Sequence, residues 1–211
     1  MINFYMTPGS CSTGIHILLE ELEMVFSANL VNLMAGDQYK PEFIAINPKS
    51  TIPVLVLNDG TALTSFQGIA WWLATAHPKA GLLPESIADQ AKALDLMGYI
   101  VNQIHGAGFT RIFTPEVYCQ EETLSDASKE TIQKKGEEIV SKGFMVVAEF
   151  LDQNGEYLAQ QFTVVDAALF YVEFWADKTQ MCLPPKCKAH YESMKQRSAV
   201  RQVLAEEGYR Y

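Results

Sequence analysis

The hydrophobic pattern of this chain changes near residue 80, and that change limits the folds that the chain can adopt. Before residue 80, short apolar runs of strand length alternate with segments of helical period. The run Ile2–Met6 predicts a buried strand, 14-GIHILLEELEM-24 predicts an amphipathic helix, and residues 26–33 predict a second strand. From about residue 87 onward the sequence has no strong strand pattern. The chain therefore predicts an α/β domain followed by an all-α domain.

The remainder of the first domain predicts a hairpin and a closing helix. The stretches 53-PVLVL-57 and 61-TALT-64 flank the turn Asn58-Asp59-Gly60, which favours a β-hairpin. The segment 66-FQGIAWWLATA-76 predicts a helix that ends at His77-Pro78. The resulting order, β-α-β, loop, β-β-α, is the layout of thioredoxin-like folds.

The second domain predicts only helices, and a short punctuated segment separates it from the first. Thr163 and Asp166 form a capping-box-like helix start, because an acidic side chain lies three positions after a threonine cap. We place the first domain at residues 1–78, a Pro/Gly-containing linker at 79–86 and the helical domain at 87–211. The helical patterns cover residues 87–113, 125–153, 163–178, about 187–196 and 198–207.

Charge and hydropathy exclude several classes of partner. The formal net charge of −9 argues against a nucleic-acid-binding surface. No run of 18 apolar residues is present, and the first residues lack the basic and apolar regions of a signal peptide. We therefore expect neither a membrane nor a nucleic acid as a partner.

The four cysteines are few and unevenly spaced, which is typical of free thiols in a reducing compartment. The pair in 182-CLPPKC-187 lacks the second cysteine pair or the histidines that a structural zinc site needs. The sequence therefore predicts a cytoplasmic protein with no metal site.

Cys11 follows the turn Thr7-Pro8-Gly9-Ser10 at the predicted start of the first helix. A helix N-terminus presents unpaired N–H groups and partial positive charge, which favour a thiolate and lower the pKa of a cysteine. The alternative is a small buried apolar residue, a common role for cysteine. The position alone leaves both interpretations open.

His105 and Pro53 also leave two interpretations open. His105 shares a helical stripe with Val101 and Gly108, a semi-apolar face that is typical of a core histidine as well as of a site residue. Pro53 follows Ile52 at a predicted strand start. It is either a plain β-edge proline or a cis proline, which costs only about 0.5–1 kcal/mol. A cis bond would expose the Ile52 backbone to an extended peptide.

Three separated motifs resemble those of the soluble glutathione transferases. They are Tyr5 with 7-TPGSCS-12, then 43-FIAINPKSTIPVLVLNDG-60, then 162-FTVVDAALF-170. Their text is similar to that of the bacterial beta class, and the resemblance covers nearly the whole chain. It implies a thioredoxin-like N-terminal domain, an all-α C-terminal domain and a homodimer. It also implies transfer of glutathione to a soft electrophile, exchange of thiols with a disulfide through Cys11, or both.

The resemblance further implies roles for single positions. Cys11 would face the glutathione sulfur as a partly accessible thiol of low pKa, with the Ser10 and Ser12 hydroxyls donating to its thiolate. His105 would line the site beside it and help to lower that pKa, so both are candidate catalytic residues. Pro53 would be cis, and the Ile52 backbone would pair with glutathione. The implied glutathione-binding residues are Ser12, Leu33, Ile52, Pro53, Ser65, Phe66 and Gln103.

The chain departs from the family pattern at several polar positions. Phe66 stands where a hydroxyl side chain holds the γ-glutamyl end of glutathione, and Gln103 and Gly106 replace a glutamate and a lysine. We therefore expect weak glutathione affinity, which a Phe66→Ser change should improve. The alternative is a non-enzymatic binding or scaffold protein with Phe66, Trp71 and Trp72 in an apolar contact surface.

Overall fold

The N-terminal part of the protein contains one mixed four-stranded sheet. The structure, a computed structural model, describes residues 1–119, 124–159 and 161–210. The strands follow the order β2-β1-β3-β4 across the sheet; β1 pairs in parallel with β2, while the β1–β3 and β3–β4 pairs are antiparallel. Their bounds are β1 Ile2–Met6, β2 Phe26–Leu30, β3 Val54–Val56 and β4 Ala62–Leu63.

Three helices accompany these strands. The parallel pair β1 and β2 needs a crossover connection, which helix α1, Ser12–Glu21, supplies. A short helix α2, Pro41–Ile44, lies in the loop before β3, and α3, Phe66–Ala76, follows the hairpin. This order confirms the predicted thioredoxin-like layout.

Helix α1 is more deeply buried than its amphipathic pattern predicts. All residues from Ser12 to Leu19 are buried, polar ones included. The reason is that α1 contacts α3 in its own domain and two helices of the C-terminal region, α7 and α9. The first of these is Val164–Lys178 and the second is Ser198–Glu206.

The C-terminal region is helical throughout the part that the structure describes, as predicted. Helix α7 lies at its centre, with every residue from Val164 to Ala176 buried. The capping box that begins it is present, with Thr163 and Asp166 bonded to each other's backbone. The remaining helices are α4 Ile87–Tyr99, α5 Thr110–Phe113, α6 Asp126–Asn154 and α8 Pro185–Met194.

The predicted helix over residues 87–113 contains a wider turn that the periodicity did not reveal. Residues Ile100–Phe109, between α4 and α5, form a π-helix, a conformation that is rare at this length and is frequent at functional sites. Glycine allows α6 to approach it closely: a Cβ on Gly108 would lie 2.5 Å from Cγ2 of Val140. The π-helix carries His105.

Several polar contacts fix the C-terminal helices against the N-terminal domain. Trp175 Nε1 donates to the Gly9 carbonyl at 2.7 Å. Arg197 forms a bidentate pair with Glu21, at 2.7 and 2.9 Å. The first contact holds the loop before α1, and the second holds the C-terminal end of α1. Within the described ranges, the chain has no helix with the length and apolar character needed to cross a membrane.

Candidate functional site

The turn before Cys11 is shaped by a glycine and by the C-terminal helices. Gly9 has a φ of +71°, and a Cβ there would lie 2.1 Å from the Tyr209 hydroxyl oxygen. Only glycine combines this backbone conformation with such close contact. The Gly9 N–H donates to Glu207 Oε2 at 2.7 Å, and its carbonyl accepts from Trp175. The position of Cys11 therefore depends on both parts of the chain.

Cys11 directly precedes α1 and is buried, with 8% of its surface exposed. Its Sγ lies 3.6 Å from the Ile52 carbonyl oxygen, to which the thiol donates. Burial raises the pKa of the Cys11 thiol to about 12, although the backbone N–H groups of Cys11 and Ser12 act to lower it. The expectation of a partly accessible thiol of low pKa is therefore wrong for this structure, because desolvation outweighs the helix N-terminus.

The neighbouring serine hydroxyls serve the turn and not the sulfur. Ser10 Oγ and Ser12 Oγ lie 2.6 Å apart and share one hydrogen bond, and both lie within hydrogen-bond distance of the Thr7 carbonyl oxygen, at 2.7 and 3.0 Å. Ser12 Oγ also accepts from the Thr7 N–H at 3.1 Å. Within the described part of the chain, the Ser10 and Ser12 hydroxyls therefore bond to the turn and do not donate to the Cys11 sulfur, contrary to the expectation from the sequence.

The Ile52–Pro53 peptide bond is cis, as predicted. The loop before it is held by Asn47, a fully buried polar residue whose side-chain amide donates to the Thr51 carbonyl at 2.7 Å. Pro53 is buried, and the Ile52 carbonyl faces Cys11. The sequence analysis assigned no role to Asn47, although its place just before Pro48 is typical of turn chemistry.

His105 is joined to Cys11 through a residue that the sequence analysis missed. The Nδ1 atom of His105 lies 3.2 Å from the Tyr171 hydroxyl oxygen, and its ring packs edge-on against Trp175 at 4.8 Å. Burial lowers the pKa of His105 to about 4, so the imidazole is neutral near pH 7. Burial also raises the pKa of Tyr171, and the neighbouring Cys11 sulfur adds to that rise. Cys11, Tyr171 and His105 thus form one cluster.

Phe66 lies in the core and not at an open binding surface. It is 4% exposed, and its ring centroid lies 5.3 Å from that of Tyr171. A Cβ on Gly14 would meet the Phe66 ring at 2.8 Å. The expectation that the Phe66 side chain meets the γ-glutamyl end is therefore not supported. Ser65 is exposed and caps α3 by accepting from the Gly68 N–H at 3.1 Å.

The last two predicted binding residues lie in different surroundings. Leu33 is half-buried and packs against a small cluster that includes Phe43 and Val54. Gln103 is exposed and lines a surface cavity of about 520 Å³ between the π-helix and α6; Cys11 and His105 are not among its lining residues. The structure therefore does not bring Gln103 together with the Cys11 cluster.

Lys49 is a further candidate that the sequence analysis left without a role. Its Nζ donates to Thr64 Oγ1 at 2.9 Å, which places an exposed cation next to the Ser65 cap of α3. The only signal in the sequence was its position in the quoted 43–60 motif.

Comparisons with known proteins agree with this geometry. Residues 9–76 match the family model described as glutathione S-transferase, N-terminal domain. The glutathione S-transferase GstA of Escherichia coli O157:H7 is 31% identical over 98% of this chain and 99% of its own.

Solved structures show the same fold over the whole chain. A glutathione transferase homologue from Sulfitobacter with bound glutathione is 27% identical with a TM-score of 0.84, over 98% of both chains. A bacterial beta class glutathione S-transferase of Sphingomonas chungbukensis is 26% identical with a TM-score of 0.81, again over 98% of both. The chain is a member of the glutathione transferase family and has its enzyme fold.

Proposed function

We propose that this enzyme binds glutathione beside Cys11 and transfers its sulfur to a soft electrophile. The observation that carries this proposal is the position of the Ile52 backbone just before β3, where its carbonyl oxygen lies 3.6 Å from the Cys11 Sγ. An extended peptide that pairs with the Ile52 backbone would bring its sulfur next to Cys11. The Sulfitobacter homologue of the same fold contains bound glutathione, which supports the choice of thiol.

The N-terminus of α3 fits the γ-glutamyl end of the same ligand. Ser65 accepts from Gly68, which leaves the Phe66 and Gln67 N–H groups at the positive end of the helix dipole. Such an end favours a carboxylate. Lys49 adds a formal positive charge next to it. Backbone groups and one lysine can therefore do what the missing hydroxyl side chain does in relatives.

In the conjugation reaction, Cys11 acts as a neutral donor. The glutathione thiolate attacks the electrophilic carbon, a carbon–sulfur bond forms, and the leaving group departs with its electron pair. The Cys11 S–H, now weakly bonded to Ile52, can donate to that thiolate, and hydrogen bonds to charged acceptors are the stronger kind. His105 is neutral, so it contributes one N–H and one acceptor nitrogen and no positive charge.

Thiol exchange through Cys11 is the second candidate function. The backbone N–H groups of Cys11 and Ser12 act to lower the thiol pKa, so solvent access to Cys11 would favour its thiolate. That thiolate would attack a glutathione-containing disulfide, form a mixed disulfide with glutathione and release the other half as a thiol. A second glutathione thiolate would then restore Cys11 and leave as glutathione disulfide.

Cys11→Ala and Cys11→Ser, with Cys182→Ser as the control at an exposed free cysteine, separate the two reactions. Conjugation activity should fall roughly ten- to hundred-fold in Cys11→Ala and less in Cys11→Ser, which keeps a donor. Complete loss of disulfide reduction with unchanged conjugation would favour thiol exchange. Full activity of both kinds in Cys11→Ala would remove Cys11 from the mechanism.

Isothermal titration with glutathione tests the binding step itself. We expect binding that weakens when Lys49→Gln removes the cation beside α3. If glutathione does not bind to the wild-type chain and neither reaction is detectable, the non-enzymatic binding or scaffold function replaces the enzyme.

The assembly and the location are part of the same proposal. Helix α6 exposes Met145, Val146 and Phe150, an apolar set that fits a homodimer contact. Light scattering after size exclusion would test this, and a monomeric mass would contradict it. All four cysteines are free, which supports a reducing, cytoplasmic location.

A further inference from the structure

Three potential metal ligands converge where α1 meets α9. His16 and Glu20 belong to α1, and Glu206 ends α9; one ligand atom of each lies within 4.8 Å of the others. We propose that His16, Glu20 and Glu206 form a binding site for a divalent transition metal of the zinc type. This site is separate from the proposed glutathione chemistry, and the earlier expectation of no metal rested on the cysteines alone.

The hydrogen bond on the far side of the His16 ring prepares it as a ligand. His16 Nδ1 lies 3.0 Å from Glu207 Oε1. The other Glu207 oxygen accepts from the Gly9 N–H and from the Thr13 hydroxyl, both at 2.7 Å. This contact fixes the orientation of the ring and leaves Nε2 as the nitrogen that faces Glu206. Metal-binding histidines commonly have this carboxylate partner.

The Nε2 atom of His16 faces a second carboxylate. His16 Nε2 lies 3.2 Å from Glu206 Oε2, so either a proton or a metal ion can lie between the two atoms. The distance is close to the ~3.3 Å that separates two ligands of a tetrahedral zinc ion with bonds of ~2.0–2.1 Å.

A glutamine holds the two carboxylates together. The side-chain amide of Gln202 donates to Glu20 Oε2 at 2.8 Å and to Glu206 Oε1 at 3.0 Å. Two carboxylates held this close repel each other, and a cation between them would remove that repulsion. Each carboxylate keeps a second oxygen for the metal.

The mixture of ligands selects the kind of ion. An imidazole nitrogen with two carboxylates suits zinc and its neighbours in the transition series, whereas Mg²⁺ and Ca²⁺ prefer oxygen ligands alone. His16 is 4% exposed and Glu206 is exposed, so the ion would have one protected side and one side open to water. Bound metal would join α9 to α1 and stabilise the folded chain.

Zinc titration of the metal-free, full-length protein tests the site. We expect one zinc ion per chain, with affinity lowered roughly ten- to hundred-fold in Glu20→Gln and in Glu206→Gln. Both positions are partly exposed, so both variants should fold. The matched control is Glu138→Gln, an exposed glutamate of α6 paired with Lys135, which should bind as the wild type does.

Two further measurements make the result decisive. The Nε2 nitrogen signal of His16 should shift when zinc is added and should return with a chelator. If zinc does not bind, or if Cys182→Ser abolishes binding while the glutamate variants retain it, the site does not exist. A His16 ring that stays protonated on both nitrogens in the presence of zinc would also overturn the proposal, since the proton would then occupy the place assigned to the metal.

Discussion

His105 and His190 both pack against aromatic rings, yet their surroundings shift their pKa values in opposite directions. His105 contacts the rings of Tyr171 and Trp175, and burial lowers its pKa to about 4. Burial acts the same way on His190, but Glu173 at 2.8 Å and Asp166 at 3.3 Å outweigh it and raise the pKa to about 10. Burial alone keeps a histidine neutral, whereas charged partners at hydrogen-bonding distance keep it protonated.

The same contrast separates a candidate chemical region from a structural one. Cys11, Tyr171 and His105 form a cluster of neutral groups, and neutral donors remain free to respond to an incoming charged ligand. His190 is bound instead to a carboxylate pair, and Asp166 also accepts from Thr163 and from the Leu158 N–H. The His190 network therefore connects α7 to α8 and to the segment before α7. We expect it to serve stability and not catalysis.

Removing the cation of the structural region should have the largest effect. His190→Ala leaves Glu173 and Asp166 buried without their partner, which should lower the free energy of unfolding by about 5 kcal/mol. Denaturant unfolding would measure it, with Lys186→Ala as the control in an exposed ion pair with Asp152. If the free energy of unfolding falls little in both variants, the charged partners of His190 do not contribute to stability.

The pH dependence of stability should show the His190 pair next. The pKa of His190 is raised from 6.5 to about 10, so its contribution is complete below pH 6.5 and is lost as the pH rises toward 10. The free energy of unfolding should therefore fall as the pH rises from 6.5 toward 10. Glu173→Gln removes the main partner of His190, so the stability of this variant should fall less steeply as the pH rises. Equal slopes in variant and wild type would assign the decline to other groups.

Phe66 provides the corresponding test in the Cys11 region. Phe66→Ala opens a cavity between α1, α3 and α7 and should lower the free energy of unfolding by about 3 kcal/mol. Phe66→Ser should be no more stable than Phe66→Ala. It should also not tighten glutathione binding, in contrast to the expectation from the sequence. Trp71→Ala, at an exposed position of the same helix, is the matched control. Tighter binding by a stable Phe66→Ser protein would show that the side chain borders the ligand.

The smallest effect should come from the hydroxyl that joins His105 to the cluster. Tyr171→Phe removes the 3.2 Å contact with Nδ1 and should cost about 1 kcal/mol of stability. The more specific readout is the His105 ring, which should stay neutral down to about pH 4 in the wild type. Nitrogen NMR of the imidazole would follow it. If His105 titrates near pH 6.5, burial does not lower its pKa, and the contrast with His190 does not hold.

The sequence by itself determined the architecture of the protein. The change of hydrophobic period near residue 80 predicted the α/β and helical parts, and the Thr163–Asp166 cap was predicted from its spacing and found. Such features are local: they depend on side-chain spacing and on contacts within a few residues. The cis Pro53 was also found, but it was implied by the family resemblance and not by spacing. The main local feature that was missed is the π-helix of Ile100–Phe109, which the pattern of apolar residues in the sequence did not reveal.

Only the tertiary structure decided the chemical state of the candidate site. Cys11 lies at the start of a helix, as the sequence predicted. The C-terminal helices that pack against α1 exclude the solvent that would stabilise a Cys11 thiolate. Tyr171, 66 positions from His105, became part of the cluster for the same reason. A pKa depends on every group that surrounds an atom and on the water excluded from it. Those neighbours come from distant segments, so spacing along the chain identifies the residues while folding sets their charge.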